Sequence, residues 1–296
     1  MRAFSKIMKA MCLPLVLSAS VSVASAQVAE KEVKLIGVTS GLDKEAAIIE
    51  VRIPRKSPED MILSAGQAMN GVQVLKIEAA GGTVNLKVDG EARTLTLEED
   101  PDHPSTHKVD QSSSPLIRFR ALPLQHAINL YAHYADRTMM RHPQLGNPTF
   151  SLDVSPHSKE EAAAFFQKMF NERNIATIPD GEHLLMVIPF AFTNALNPRA
   201  VTLSSTNALI PEGSVNFLNA PVDLVLSAYA DYVHKEIVNL HDSGLNPRLT
   251  FTFVQTTPLS REELCYALET QIEWRNVRIA PDGNGKFKFE RIPESK

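Results

Sequence analysis

Few side chains in this sequence are placed to do chemistry. Of its 9 histidines, His126, His133 and His142 lie near one another, and clustered imidazoles are a common nitrogen ligand set for zinc. His126 and His133 are seven apart on one expected helix, however, about two turns from each other instead of the i, i+4 placement that clasps one ion. His234 and His241 do not repeat the spacing, so surface and packing roles are expected and no metal is assigned. Glu160-Glu161 and Glu262-Glu263 have the types of a general acid/base pair. Each follows Ser158 or Ser260 by two and three residues, which reads as a helix cap with acidic groups at the positive end of the helix dipole. Ser112 to Ser114 lack a Gly-x-Ser-x-Gly elbow, and Asn284-Gly285-Lys286 lacks the preceding phosphate loop. Glu98-Glu99-Asp100-Pro101-Asp102 lacks the alternating ligands of a calcium loop. Cys265 falls beside an apolar helical stripe, where a buried, inert thiol is expected. Tyr131, Tyr134, Tyr229 and Tyr232 are expected in the core or at domain interfaces. The chain is expected to be non-enzymatic, with no cofactor.

The elements carrying these residues form a segment that occurs twice. Phe119-Arg-Ala-Leu-Pro123 leading to Tyr131-Ala132-His-Tyr134 is answered by Phe217-Leu-Asn-Ala-Pro221 leading to Tyr229-Ala230-Asp-Tyr232. Thr149-Phe150 is answered by Thr250-Phe251, Pro156-His157-Ser158 by Pro258-Leu259-Ser260, Arg173-Asn174 by Arg275-Asn276, and Pro179-Asp180-Gly181 by Pro281-Asp282-Gly283. Leu124, Ala127, Ile128 and Tyr131, and likewise Val222, Val225, Leu226 and Tyr229, follow the i, i+3, i+4, i+7 spacing of a helix with one buried stripe. A β-type run follows, Thr149 to Val154 or Leu249 to Val254. A second helix then starts at the Ser-x-x-Glu cap and buries Ala162, Phe165, Phe166 and Phe170, or Leu264, Ala267, Leu268 and Ile272. Two strands around an Asp-Gly turn close each unit. The expected order is β-α-β-α-β-β, two helices on a small mixed sheet, over residues 115–189 and again over 214–292.

The first 26 residues combine Arg2, Lys6 and Lys9, an apolar run and Ala24-Ser25-Ala26, the layout of a cleavable secretory signal. Export to the periplasm is therefore expected, with no transmembrane segment in the mature chain. Removing three positive charges moves the formal net charge from −4 to −7, which disfavours nucleic acid as a partner. Cys265 is then the sole cysteine, so each domain must be held by its own core rather than by a disulfide. Residues 33–98 alternate in short stretches punctuated by Asn70-Gly71, Gly81-Gly82 and Asp89-Gly90 and are expected to form a small β-domain, interrupted from Pro54 to Met69 by a charged loop or one short helix. Residues 99–114 read as a linker. A less polar connector spans 190–213, whose Phe190, Phe192 and Leu196 are candidates to pack on a repeat. The fold class is thus α+β: a small β-domain followed by two tandem repeats.

The duplicated unit resembles the periplasmic N-terminal domains of secretins, the outer-membrane ring proteins of type II secretion and type IV pilus systems. The resemblance lies in Phe-x-x-x-Pro opening onto Tyr-Ala-x-Tyr, the β-run, the Ser-x-x-Glu helix and the closing strands with Pro-Asp-Gly. The β-domain resembles the homology region of the type II secretion inner-membrane coupling protein, in Leu35-Ile36-Gly37-Val38, Ala46-Ala47-Ile48-Ile49, Gly71-Val72-x-Val74-x-x-Ile77 and Val84-x-Leu86-x-x-x-Gly90-x-x-x-Thr94-Leu95. The resemblance implies an adaptor acting by protein–protein contact, with a secretin or another secretion or pilus component as partner and self-association as a further possibility. It implies Leu35, Ile36, Gly37 and Val38 as partner contacts. Two other classes stay open at this level: an exported protein holding a ligand or glycan in the groove between the repeats, and a hydrolase whose residues converge only in three dimensions.

Overall fold

The structure is a computed structural model that describes residues 31–42, 45–55, 58–97, 115–194, 209–238, 250–283 and 285–292. The leader over 1–26 and the linker over 99–114 lie outside these residues, as do 195–208 of the connector. The fold is mixed α+β, with mostly antiparallel strands in several small sheets.

Strands β1 (Glu32–Ser40), β2 (Ala46–Arg52) and β3 (Glu59–Ser64) begin the chain, followed by β4 (Ala68–Met69), β5 (Val72–Glu78), β6 (Thr83–Val88) and β7 (Glu91–Thr96). The first copy of the repeat contains β8 (Leu116–Pro123), α1 (Leu124–Ala135), β9 (Thr138–Arg141), β10 (Thr149–Val154), α2 (Lys159–Asn171), β11 (Ile175–Asp180) and β12 (Leu184–Pro189). The second contains β13 (Asn216–Pro221), α3 (Val222–Val233), β14 (Thr250–Val254), α4 (Arg261–Glu273), β15 (Val277–Pro281) and β16 (Phe287–Arg291).

The β-domain and the first repeat do not keep separate sheets. β8 pairs antiparallel with β1, giving one five-stranded sheet in the order β10-β8-β1-β2-β3, while β4 to β7 form a second, four-stranded sheet. This explains the unbroken burial of β1 from Leu35 to Thr39, since a strand covered on both faces has no reason to alternate. Leu35 and Val38 pack towards the four-stranded sheet with Ile49, Val51, Val74 and Leu86. Ile36 and Ile48 pack on the opposite face, with Phe119, Tyr131 and Phe166 of the first repeat. Leu35 and Val38 share a side because the pairing with β2 slips between Leu35 and Gly37, a bulge that resets the alternation. The interruption expected from Pro54 to Met69 is also corrected: Glu59–Ser64 is a strand, paired along its length with β2. Its charged residues misled because it is an edge strand with only two buried apolar residues, Met61 and Leu63.

In the first repeat, β12 lies between β11 and β9 and runs parallel to β9. Met139, Leu185 and Val187 face α1 and α2, whereas Met140, Leu184, Met186 and Ile188 join the core of the second repeat with Leu264, Leu268 and Ile272. Three cores therefore follow one another along the chain, each sharing a sheet with the next. Among the described residues no helix is long and apolar enough to cross a membrane.

The duplication extends to backbone detail. Ala121 and Asn219 both adopt left-handed φ, of 49° and 50°, just ahead of the proline that opens each first helix. Their amides donate to Ser151 Oγ at 3.2 Å and Thr252 Oγ1 at 3.3 Å. Asp136 and His234 end the first helices in the same left-handed conformation. Met139 pairs with Leu185 in parallel, and Ile237 pairs with Phe287 in the same sense. Leu124, Ala127, Ile128 and Tyr131 are buried as their spacing requires, and so are Val222, Val225, Leu226 and Tyr229.

Candidate functional site

Ser158 with Glu161 and Ser260 with Glu263, weighed first for catalysis, cap the second helix of each repeat. Ser158 Oγ accepts from Glu161 N at 3.2 Å, and Ser260 with Glu263 forms a complete capping box. Glu161 departs slightly from the expectation by accepting from His157 N at 2.6 Å, one residue before the cap. Cys265 is half-buried, and burial with the nearby Glu269 carboxylate pushes its thiol up to about 11, which leaves it protonated and unreactive at neutral pH. Tyr131, Tyr134 and Tyr229 are buried and Tyr232 is half-buried. The Tyr229 hydroxyl donates to Glu269 at 2.6 Å. Among the described residues no group of three or more His, Cys, Asp or Glu side chains is placed to hold a metal ion. Ser112 to Ser114, the acidic run 98–102, His241 and Asn284 lie outside the described residues.

The residues expected as partner contacts, Leu35 to Val38, lie on β1. Leu35, Ile36 and Val38 are buried at 2 %, 5 % and 0 % exposure. They lie on a strand with β2 along one edge, while β8 pairs with the other edge only from Gly37 to Ser40, and Leu35 and Ile36 line a cleft beside that pairing. Gly37 stands opposite Phe119, and a Cβ there would lie 2.6 Å from Phe119 Cβ. The first strand of the repeat thus pairs with a strand of the β-domain.

Charged residues edge the seam. Arg118 Nε meets Asp153 Oδ2 at 3.1 Å, with Arg120 Nη2 at 3.6 Å from the same oxygen. Arg120 also lines a cleft with Lys34, Ile36 and Glu50. Further along, His126 Nδ1 on α1 lies 3.3 Å from Asp60 Oδ2 on β3. Burial raises the Asp60 carboxyl and lowers the His126 imidazole, each towards its neutral form. Sequence reasoning misses this pair because the two residues belong to elements far apart in the chain, and the Asp60 strand reads as a charged loop or one short helix.

The two repeats meet in a second, closed contact. Thr138 Oγ1 accepts from the amides of Thr256 and Thr257, each at 3.1 Å, and lies 2.9 Å from Thr257 Oγ1. Thr256 Oγ1 donates to Arg137 O at 2.9 Å, Tyr266 donates to Asp180 at 2.5 Å, and His183 Nδ1 lies 2.9 Å from Glu263 Oε1. His142 stacks on Phe192 and meets Trp274 at a tilt, with ring centroids at 4.6 and 5.1 Å. Phe192 therefore packs as its position in the connector suggested, while Phe190 remains exposed.

Burial, and secondarily the charge of Arg275, lowers His142 from 6.5 to about 4. The folded state thus takes up this proton less readily than the unfolded chain. Its contribution to stability is complete above pH 6.5, declines as pH falls through that interval and is lost below about 4. Acidification is expected to loosen the contact by about 2 kcal/mol after allowance for solvent screening. Trp274 is the only tryptophan, so its fluorescence should report the transition, and His142→Phe should flatten it. An unchanged pH profile in that variant would assign the transition to another group.

Comparison of the chain with protein-family models, curated proteins and solved structures gives no match.

Proposed function

We propose that this chain is a non-catalytic adaptor of the cell envelope that works by protein–protein contact, as an accessory part of a secretin-based type II secretion or type IV pilus apparatus. The supporting observation is the seam itself. A repeat of the kind that resembles a secretin N-domain takes up, on its first strand, a β-domain of the kind that resembles the coupling-protein homology region. The association that the resemblance implies between separate proteins is thereby built into one chain as β1 on β8. Strand addition of this sort uses backbone hydrogen bonds for affinity and side-chain fit for selectivity. The tandem arrangement of β-domain and two repeats belongs to the same proposal. The face between the repeats is filled by Met140, Met186, Leu264 and Leu268, which favours the adaptor over a ligand-binding groove.

The test is affinity capture of the tagged full-length chain, expressed in its native cell, from crosslinked envelopes, with the co-purifying proteins identified by mass. Recovery of a secretin or pilus-assembly protein is the expected result. Its absence while the bait is folded and abundant would remove the apparatus from the proposal.

A further inference from the structure

The two copies of the repeat differ most where the first one receives β1. In the second copy β13 pairs with β14, and among the described residues no strand lies along its other edge. Arg118, Arg120 and Asp153, the charged group at the first seam, are replaced by Asn216, Leu218 and Val254, and His126 is replaced by Leu224. Arg120 and His126 are largely covered by the β-domain, whereas Leu218 and Leu224 are 68 % and 55 % exposed. The cover is missing from the flanking helix too. Leu130, Ala132 and Tyr134 are buried on α1, but Ala228, Ala230 and Tyr232 at the same places on α3 are only half-buried.

An open edge normally carries charge or a bulge that discourages pairing; β13 has a bulge between Phe217 and Ala220, but β8 has the same one between Phe119 and Leu122 and still accepts β1 ahead of it. β13 reads Asn-Phe-Leu-Asn-Ala-Pro, with no charged residue. It belongs to a two-stranded sheet, a size that gains stability from further strands. The internal counterpart cannot fill the slot, because β1 is already paired on both edges.

We propose that the slot is filled by a second copy of this chain: two β13 strands pair antiparallel about a twofold axis, joining the two-stranded sheets into one of four strands and packing Leu218 and Leu224 on their mates. The exchange of side chains between the copies of the repeat favours this occupant. At a twofold contact each patch meets its own chemistry. Arginine and histidine suit the first seam because Glu50 and Asp60 face them there. Facing themselves they would repel, whereas leucines attract. This pairing rests on the proposal that the chain acts by protein contact, and it supplies the surface and the stoichiometry.

Sedimentation of the full chain over roughly two decades of concentration should give a monomer–dimer equilibrium. Leu218→Arg and Leu224→His install residues that the first repeat already carries at these positions, so the fold should survive, as circular dichroism would verify. Each change enters a twofold interface twice, and the dimer should weaken by about tenfold or more. Leu75→Arg, at an exposed leucine in the four-stranded sheet, should leave it unchanged. A chain that stays monomeric throughout would overturn the pairing, as would a dimer indifferent to Leu218→Arg or equally weakened by Leu75→Arg. Envelope capture is scored separately, so a monomer that still recovers a secretin would remove the twofold pairing and leave the adaptor in place.

Discussion

Gly37→Val is expected to lower the melting temperature by about 10 °C, a loss of about 3 kcal/mol or more. The cause is local and cannot relax easily. Even a Cβ at position 37 would lie 2.6 Å from Phe119 Cβ, 2.9 Å from Ile48 Cδ1 and 3.0 Å from the Arg118 carbonyl oxygen. Two of these atoms are fixed to the backbone of β8, so relief requires the strands to part. Phe119 and Ile48 are fully buried, and parting would expose the core that the β-domain shares with the first repeat. Gly37→Ala should already be costly. Gly146→Ala, where nothing lies within 4 Å of the added carbon, should be nearly neutral. Calorimetry of the three variants gives the comparison, and a Gly37→Val protein as stable as its parent would mean that β1 and β8 do not pair.

Thr138→Val is expected to destabilise the contact between the repeats by about 3 kcal/mol, although valine nearly matches threonine in shape. Thr138 is fully buried, and its oxygen is the acceptor for the Thr256 and Thr257 amides. A valine methyl leaves both donors without that partner in a site where each unpaired group costs about 1–3 kcal/mol. Thr138→Ser retains the oxygen and should recover most of the loss. Chemical denaturation followed through Trp274, which packs in the same contact, would measure both. Equal stability of the valine and serine variants would show that the hydroxyl is not holding the repeats together.

The parts of this molecule legible in its sequence were those set by neighbours in the chain. Both helical stripes appeared at their expected positions, the Ser260–Glu263 box closed as its spacing required, and five of the seven β-domain strands were bracketed by turn residues. β3 and β9 were missed for opposite reasons, and the two-residue β4 was missed as well. β3 carries charges at a sheet margin, while β9 is four residues long and becomes a strand by pairing with β12.

Sequence alone determined that a segment is duplicated, where its helices begin and which of their faces are buried, because caps, turns and apolar periodicity act over a few residues. Tertiary structure decided what lies beside each strand. Alternation and burial specify the faces of a strand but say nothing about its edges, since every residue offers the same backbone donor and acceptor to whichever strand arrives. Gly37 and Val38 consequently read the same whether they meet another protein or the centre of their own sheet, and only the folded chain placed β8 along them. The same physics separates the two repeats. Their sequences prescribe one fold twice, while the strand that covers the first of them comes from elsewhere in the chain.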